Sequence, residues 1–207
     1  MYLTFDDGPS EYTPQILSVL QAKSVPATFF VVGQNAAQHP STVQQAHAAG
    51  NGIGNHSWDH TDLTTLPPDL VRTQLQSTSD QIATLTGAPP AVWRPPFGAF
   101  NNTVTQIASS LGLSMRLWDV DTADHSTPGV NAIVDNVVNS ARPDAIILLH
   151  DGSPGDDEDR SQTVAAVPII IDTLRSLGYS FGSLVTTAGA SSAPTGPTGP
   201  SVPIGRE

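Results

Sequence analysis

The chain has 207 residues and no cysteine, and its 8 basic and 19 acidic side chains leave a net charge of −11. That length fits one domain with a real core, the missing cysteines exclude disulfides and thiolate metal sites, and an acidic chain without a Lys/Arg cluster excludes nucleic acid as a partner. With 38% hydrophobic and 13% charged residues it is too apolar to be disordered, yet no run approaches the roughly 18 apolar residues of a membrane helix, so no membrane partner is expected.

Directly after Met1, Tyr2-Leu3-Thr4-Phe5 reads as a strand and not as a signal peptide, so the start is expected to be a mature or truncated terminus. The strand runs into Asp6-Asp7-Gly8-Pro9. Adjacent acids inside a strand point to opposite faces. A Gly-Pro turn breaks that alternation and lets both face one site, although Asp and Gly are also ordinary turn residues. Helical periodicity over 13–23 leads to an apolar run at 27–32, and a second periodic segment, 41–49, stops at Gly50 before the run 52–54.

Asn55-His56-Ser57-Trp58-Asp59-His60 comes next. Two histidines four apart can hold one metal on a helix or on a loop that turns back. No Glu follows the first, so this is not the metalloprotease His-Glu-x-x-His helix, and Gly50, Gly52 and Gly54 favour strand and loop. On its own the pair is equally consistent with two unrelated surface histidines. A long periodic segment, 69–86, leads to the run 91–93 and then to Arg94-Pro95-Pro96-Phe97-Gly98. A buried Arg there needs an anionic partner, and the two prolines stiffen the loop, as a backbone N–H that stabilises charge requires. A plain turn with a surface Arg is the alternative.

Periodicity over 102–111 precedes the run 115–118 and the polar segment Asp119-Val120-Asp121-Thr122-Ala123-Asp124-His125. Periodicity over 130–140 precedes the most hydrophobic run, 145–149, which ends on His150-Asp151-Gly152. A lone His in that place is commonly a core residue, but an Asp from the preceding polar segment would orient it and raise its basicity. A last helical segment, 162–177, stops at Gly178 before the run 179–181. Residues 188–203 are almost wholly Ala, Gly, Ser, Pro and Thr. The expected division is therefore a catalytic domain over 1–186 and a Pro/Thr/Gly/Ser-rich linker or disordered tail over 187–207.

About seven strand–helix repeats predict an α/β fold, a distorted (β/α) barrel of parallel strands with outer helices; an open doubly wound sheet is the competitor. In either, polar residues just after the strands gather at the carboxyl ends, where such folds build their sites.

Taken together and in this order, the five polar segments resemble carbohydrate esterase family four, the polysaccharide deacetylases that share the NodB homology domain. The resemblance covers roughly residues 2–184. It rests on Thr-Phe-Asp-Asp-Gly-Pro at 4–9, the histidine pair His56 and His60, Arg-Pro-Pro-aromatic-Gly at 94–98, Asp121 with Asp124, and Leu148 with His150. It implies Asp7, His56 and His60 as metal ligands and Asp6 as general base, oriented by Arg94. It further implies the Phe97 backbone N–H as oxyanion donor and His150 as general acid, tuned by Asp124. Phe97, Trp118, His125 and Leu148 would line the substrate groove. Phe97 stands where the family commonly has Tyr, which leaves a backbone contact intact. His125 stands where it usually has Trp, so the groove is expected to differ there.

Two neutral histidines and one carboxylate leave open positions on a metal, the pattern of a catalytic site. Zn2+ is the expected ion, with Co2+ or Ni2+ as substitutes. The implied activity is removal of N-acetyl groups from an N-acetylglucosamine polysaccharide of chitin or peptidoglycan type. The alternatives are an acetylxylan esterase and an inactive glycan-binding domain; a metal-dependent phosphoesterase lacks its Lys/Arg cluster. The implied partner is a polysaccharide or oligosaccharide met by a monomer, and such polymers place the protein outside the cell, secreted or associated with the wall.

Overall fold

The computed structural model describes residues 1–155 and 158–185. The expected linker, 187–207, lies outside the described residues. Seven strands form one sheet: β1 (Tyr2–Asp6), β2 (Thr28–Val31), β3 (Gly52–Asn55), β4 (Val92–Trp93), β5 (Ser114–Met115), β6 (Val120–Asp121) and β7 (Ile146–His150). Every strand pairing is parallel, and the order is β5-β4-β3-β2-β1-β7-β6. That is the order of a singly wound barrel, in which each strand follows its predecessor, interrupted between β5 and β6. A doubly wound sheet would instead reverse direction at a switch point. The sheet curls into a half-barrel with helices outside, so the distorted barrel expected from the sequence is the architecture.

The helices are α1 (Thr13–Ala22), α2 (Gly33–Gln38), α3 (Pro40–Ala48), α4 (Pro68–Thr86), α5 (Asn102–Ser110), α6 (Val130–Asn139) and α7 (Ser161–Ser176). Among the described residues none is long and apolar enough to cross a membrane. Helix α4 begins with proline in its first turn, where the missing N–H costs nothing. It ends at Gly87, whose φ of 85° is left-handed and cheap only for glycine. The main core lies between the sheet and helices α1, α3, α6 and α7. There Leu3, Phe5, Phe29, Ile147, Leu149, Ile170 and Ile171 are almost wholly buried, and Phe5 stacks on Phe29 at 5.1 Å. A smaller cluster of Leu63, Leu75, Trp93, Val104 and Leu113 seats α4 and α5 against the β4 side.

Two sequence expectations are corrected, and helix α2 lies in a stretch to which the sequence assigns no element. The run 115–118 is a strand only as far as Met115, because the carbonyls of Arg116 and Leu117 accept hydrogen bonds from the Arg94 guanidinium at 3.0 Å each. The run 179–181 forms no strand and ends in a single bridge between Tyr2 and Gly182.

Candidate active site

Parallel register brings the carboxyl ends of the strands level. Asp6, the last residue of β1, is the ladder partner of His150, the last of β7, and also of Phe30 on β2; Asn55 closing β3 pairs with Trp93 closing β4. The polar segments that follow these strands therefore share one rim, where they enclose a cavity of about 490 Å³.

Asp6 keeps the strand's alternation and Asp7 breaks it. Asp7 has φ 73°, and this left-handed step turns both carboxyls toward the rim before the Gly-Pro pair is reached. Gly8 permits the arrangement, because a Cβ there would lie 2.2 Å from an Asp151 carboxyl oxygen. The second turn repeats the device: Ser57 and His60 have φ 64° and 63°, folding the chain so that His56 and His60 converge, with ring centroids 5.0 Å apart.

The tautomer of His56 follows from its partner. Its Nδ1 lies 2.8 Å from the Arg94 carbonyl, which can only accept, so Nδ1 carries the hydrogen and Nε2 of the neutral ring presents a lone pair. That Nε2 and the Nε2 of His60 each lie 3.2 Å from Asp7 Oδ1. Asp7 Oδ1 is buried and accepts no hydrogen bond among the described residues. The three donor atoms lie within 4.8 Å of one another, so with both rings neutral and Nε2 free of hydrogen three lone pairs converge. Burying such a group is unfavourable unless a cation completes it, and the residues fit a divalent metal with open positions toward the cavity.

The same groups also shift one another's titration when no cation lies between them. Burial alone would push the Asp7 carboxyl up, but the imidazoles of His56 and His60, with His150 beyond them, outweigh burial and bring it to about 2. Burial works against an imidazolium at His56, yet the Asp6 and Asp7 carboxylates prevail and move its titration up. At His60 burial dominates and moves it down.

Arg94 is completely buried. Its Nη1 donates to Asp6 Oδ1 at 2.7 Å and to Thr4 Oγ1 at 2.9 Å, and its guanidinium lies 4.2 Å over the Phe30 ring. With the carbonyls of Arg116 and Leu117 on its other nitrogens, it is fixed on every side. Asp6 Oδ1 is thus engaged, and Oδ2 remains 3.7 Å from His56 Nε2 at the edge of the three-residue cluster. In the loop after β4, the N–H groups of Gly98 and Ala99 close the turn on the Pro95 and Pro96 carbonyls. The Phe97 N–H, on a residue with φ 59°, takes part in neither bond. The Phe97 ring is 69% exposed and meets His60 edge-on at 4.6 Å.

Across the cavity, His150 Nδ1 lies 2.7 Å from Asp124 Oδ1. Asp124 Oδ1 also accepts from Thr122 Oγ1 at 3.1 Å, and Oδ2 accepts from the His150 N–H and Thr163 Oγ1 at 2.8 and 2.7 Å. Burial disfavours an imidazolium at His150, but the hydrogen-bonded Asp124 carboxylate overcomes it, and with Asp7 and Asp6 nearby its pKa rises to about 9. His125 is exposed, its ring 5.4 Å from that of His150. Although donor atoms of Asp124, His125 and His150 also lie within 4.8 Å, Asp124 Oδ1 is engaged by His150 Nδ1 and Oδ2 by the His150 N–H and Thr163, so the carboxylate acts as a hydrogen-bond relay to His150.

The structure thus brings Asp6, Asp7, His56, His60, Phe97 and His150 to one cavity, with Trp118, His125 and Leu148 also lining it. Arg94 and Asp124 stand behind it. Sequence reasoning missed Asn35, whose Nδ2 donates to the Asp7 and Ser153 carbonyls at 2.7 and 2.9 Å, and Thr163, which holds Asp124. Neither carries a sequence signal, since each is one polar residue in a helix. Asp151 lay in a segment already singled out, and its buried carboxyl accepts from Thr13 Oγ1 at 2.6 Å.

Residues 1–116 match a family described as polysaccharide deacetylase. The chain is 40% identical over 192 residues, 89% of each protein, to a chitooligosaccharide deacetylase of Rhizobium leguminosarum bv. trifolii. Its fold matches the Bc1960 peptidoglycan N-acetylglucosamine deacetylase in complex with an N-oxidanyl-benzamide, with a TM-score of 0.84 and 35% identity over 88% of this chain and 85% of that one. It also matches a family 4 carbohydrate esterase from Streptomyces lividans in complex with acetate, with a TM-score of 0.83 and 35% identity over 94% and 97% of the two chains.

Proposed function

The chain belongs to the polysaccharide deacetylase family, and we propose that it hydrolyses the N-acetyl group of N-acetylglucosamine units in a chitin- or peptidoglycan-type glycan. One observation carries this reading. Three possible ligand atoms, on Asp7, His56 and His60, converge on one side of a cavity whose other side holds His150, an imidazole backed by Asp124. Hydrolysis of an amide needs both halves, a way to activate water and a proton for the departing amine.

Asp7, His56 and His60 would hold the metal. Their donor set suits Zn2+ first and Co2+ or Ni2+ after it, and a bound ion would make water more acidic and polarise the acetyl carbonyl. Asp6, held by Arg94 through Oδ1, takes the water proton on Oδ2 as the oxygen attacks the carbonyl carbon. The Phe97 N–H donates to the oxygen that becomes negative. His150 passes its Nε2 proton to the glucosamine nitrogen as the C–N bond breaks, acetic acid and the amine leave, and the proton held on Asp6 returns to His150 through solvent, so the proton count balances. The Asp124 relay favours amide over ester cleavage, because an amine is the poorer leaving group.

Phe97, Trp118, His125 and Leu148 serve as groove walls for the glycan. The substrate polymers place the protein outside the cell or at the wall, acting as a monomer. The test is acetate release from N-acetylglucosamine oligomers, peptidoglycan and acetylxylan, before and after chelation and with zinc restored. The reading expects chelator-sensitive, zinc-restored activity on the amino sugars. Good cleavage of acetylxylan alone overturns the substrate, and activity indifferent to chelation overturns the metal.

A further inference from the structure

The turn carrying both histidines contains two non-glycine residues at positive φ, Ser57 and His60. Each costs about 1–3 kcal/mol and persists only if its surroundings over-determine it. Accounting for the backbone N–H groups shows what does so. The His56 N–H goes to the Val31 carbonyl at 3.0 Å, Ser57 to Asn55 Oδ1 at 2.8 Å, and His60 to Ser57 Oγ at 3.1 Å. The Trp58 and Asp59 N–H groups both go to Oε1 of Gln74, at 2.8 and 3.2 Å. Gln74 Nε2 donates to Asp59 Oδ2 at 2.8 Å, and Asp59 Oδ1 accepts the Thr61 N–H at 3.0 Å. Three of the six N–H groups between His56 and Thr61 therefore depend on one amide in α4, directly or through Asp59. Only one orientation of that amide works, because the two N–H groups need its oxygen and the carboxylate needs its NH2 group.

We propose that Gln74 is a positioning residue for the metal centre, fixing the separation of His56 and His60 through the turn between them. It lines a separate outer hollow with Trp58, Asp59 and Leu70, not the catalytic cavity, so it acts on the histidines and not on the substrate. The proposal rests on Asp7, His56 and His60 being the metal ligands.

Zinc affinity, measured by chelator competition on the folded, metal-free protein, tests it. Gln74→Leu keeps the bulk and removes the bonds; it weakens zinc binding by about 10–100-fold, the usual effect of losing a group that orients a ligand. Gln74→Glu weakens it too, because a second carboxylate then faces Asp59. Combining Gln74→Glu with Asp59→Asn reverses the roles and rebuilds every bond, and affinity returns to within roughly threefold of the parent, a strong coupling of neighbours. A merely structural residue would lower the Tm in all three and leave the zinc Kd of the folded protein unchanged. An unchanged Kd in Gln74→Leu, or no recovery in the double change over Gln74→Glu, overturns the proposal. If Gln74→Leu does not fold, the second comparison decides. His56→Ala separates the premise: loss of zinc there upholds the ligand assignment, whereas unchanged binding overturns that assignment and the proposal with it.

Discussion

Asp124→Asn removes one charge and almost no volume. In the parent, burial alone would lower the His150 titration, and the Asp124 carboxylate at 2.7 Å reverses this, carrying it from 6.5 to about 9. At about 1.36 kcal/mol per pH unit, the rise is worth ~3 kcal/mol in favour of the imidazolium. In the variant the amide oxygen can still accept the Nδ1 hydrogen, but its NH2 group then faces the His150 backbone N–H, so some loss of stability accompanies the change, and burial of the ring is opposed only by Asp7 and Asp6. The needed form of His150 is protonated, so its fraction falls tenfold for each pH unit above its pKa. The alkaline limb of kcat/KM should move down by about 2 units, so that from a parent limb near 9 the rate near pH 8 falls about tenfold and the loss approaches about 10²-fold at and above pH 9. A cation on Asp7 removes part of the support, so the parent limb itself lies below 9. The same pair contributes to stability. A His whose folded pKa is raised stabilises fully below its unfolded value of about 6.5, and loses that contribution as pH rises through about 9; the variant lacks this slope. Acetate release as a function of pH, with His150 followed by NMR, measures both. An alkaline limb that stays in place in Asp124→Asn refutes the relay.

The adjacent acids should separate metal binding from catalysis: Asp7→Asn loses zinc and partly recovers as zinc is raised, whereas Asp6→Asn keeps zinc and loses about 10²–10⁴-fold in turnover. Metal content and acetate release on both variants check this, and equal metal loss would overturn the assignment. Burial, less the help of Thr13 and with Asp7 and Asp6 adding to it, pushes Asp151 up to about 7 from 3.8. Stability of the metal-free protein should therefore fall as pH rises from about 4 to about 7, by on the order of 4 kcal/mol. Asp151→Asn should remove that fall; urea midpoints for both proteins at the two ends of the window measure it, and parallel curves would refute it. His125→Trp should change oligomer-length preference more than turnover of a small substrate, and loss of metal on this change would show that His125 does more than wall the groove.

The strands that were legible in the sequence are those whose apolar runs end on charged residues, above all β1 and β7, because burial on both faces leaves a continuous hydrophobic signature. The barrel followed from their repeat. Helix α2 was not legible: Gly33-Gln34-Asn35-Ala36-Ala37-Gln38 has no apolar period, and its start is fixed from outside, by Gly33 and Gln34 N–H groups donating to the Ser57 and Trp58 carbonyls. Strand β6 is two residues long, too short for any pattern. The site residues showed themselves through their order along the chain, while the supports behind them, Gln74, Asn35 and Thr163, are single polar residues whose meaning exists only in three dimensions. The sequence assigns the bend here to Gly8 and Pro9, whereas in the structure Asp7 itself makes the left-handed step.

Among the described residues the half-barrel stays open with β5 and β6 at its edges, and an open sheet edge invites another chain to add a strand. Each edge here is only two residues long. On the β5 side, the carbonyls that would extend the ladder, those of Arg116 and Leu117, are bound by Arg94. The arginine behind the proposed base therefore also ends β5 at Met115, and a loss of solubility in an Arg94 variant would have a cause separate from any lost chemistry.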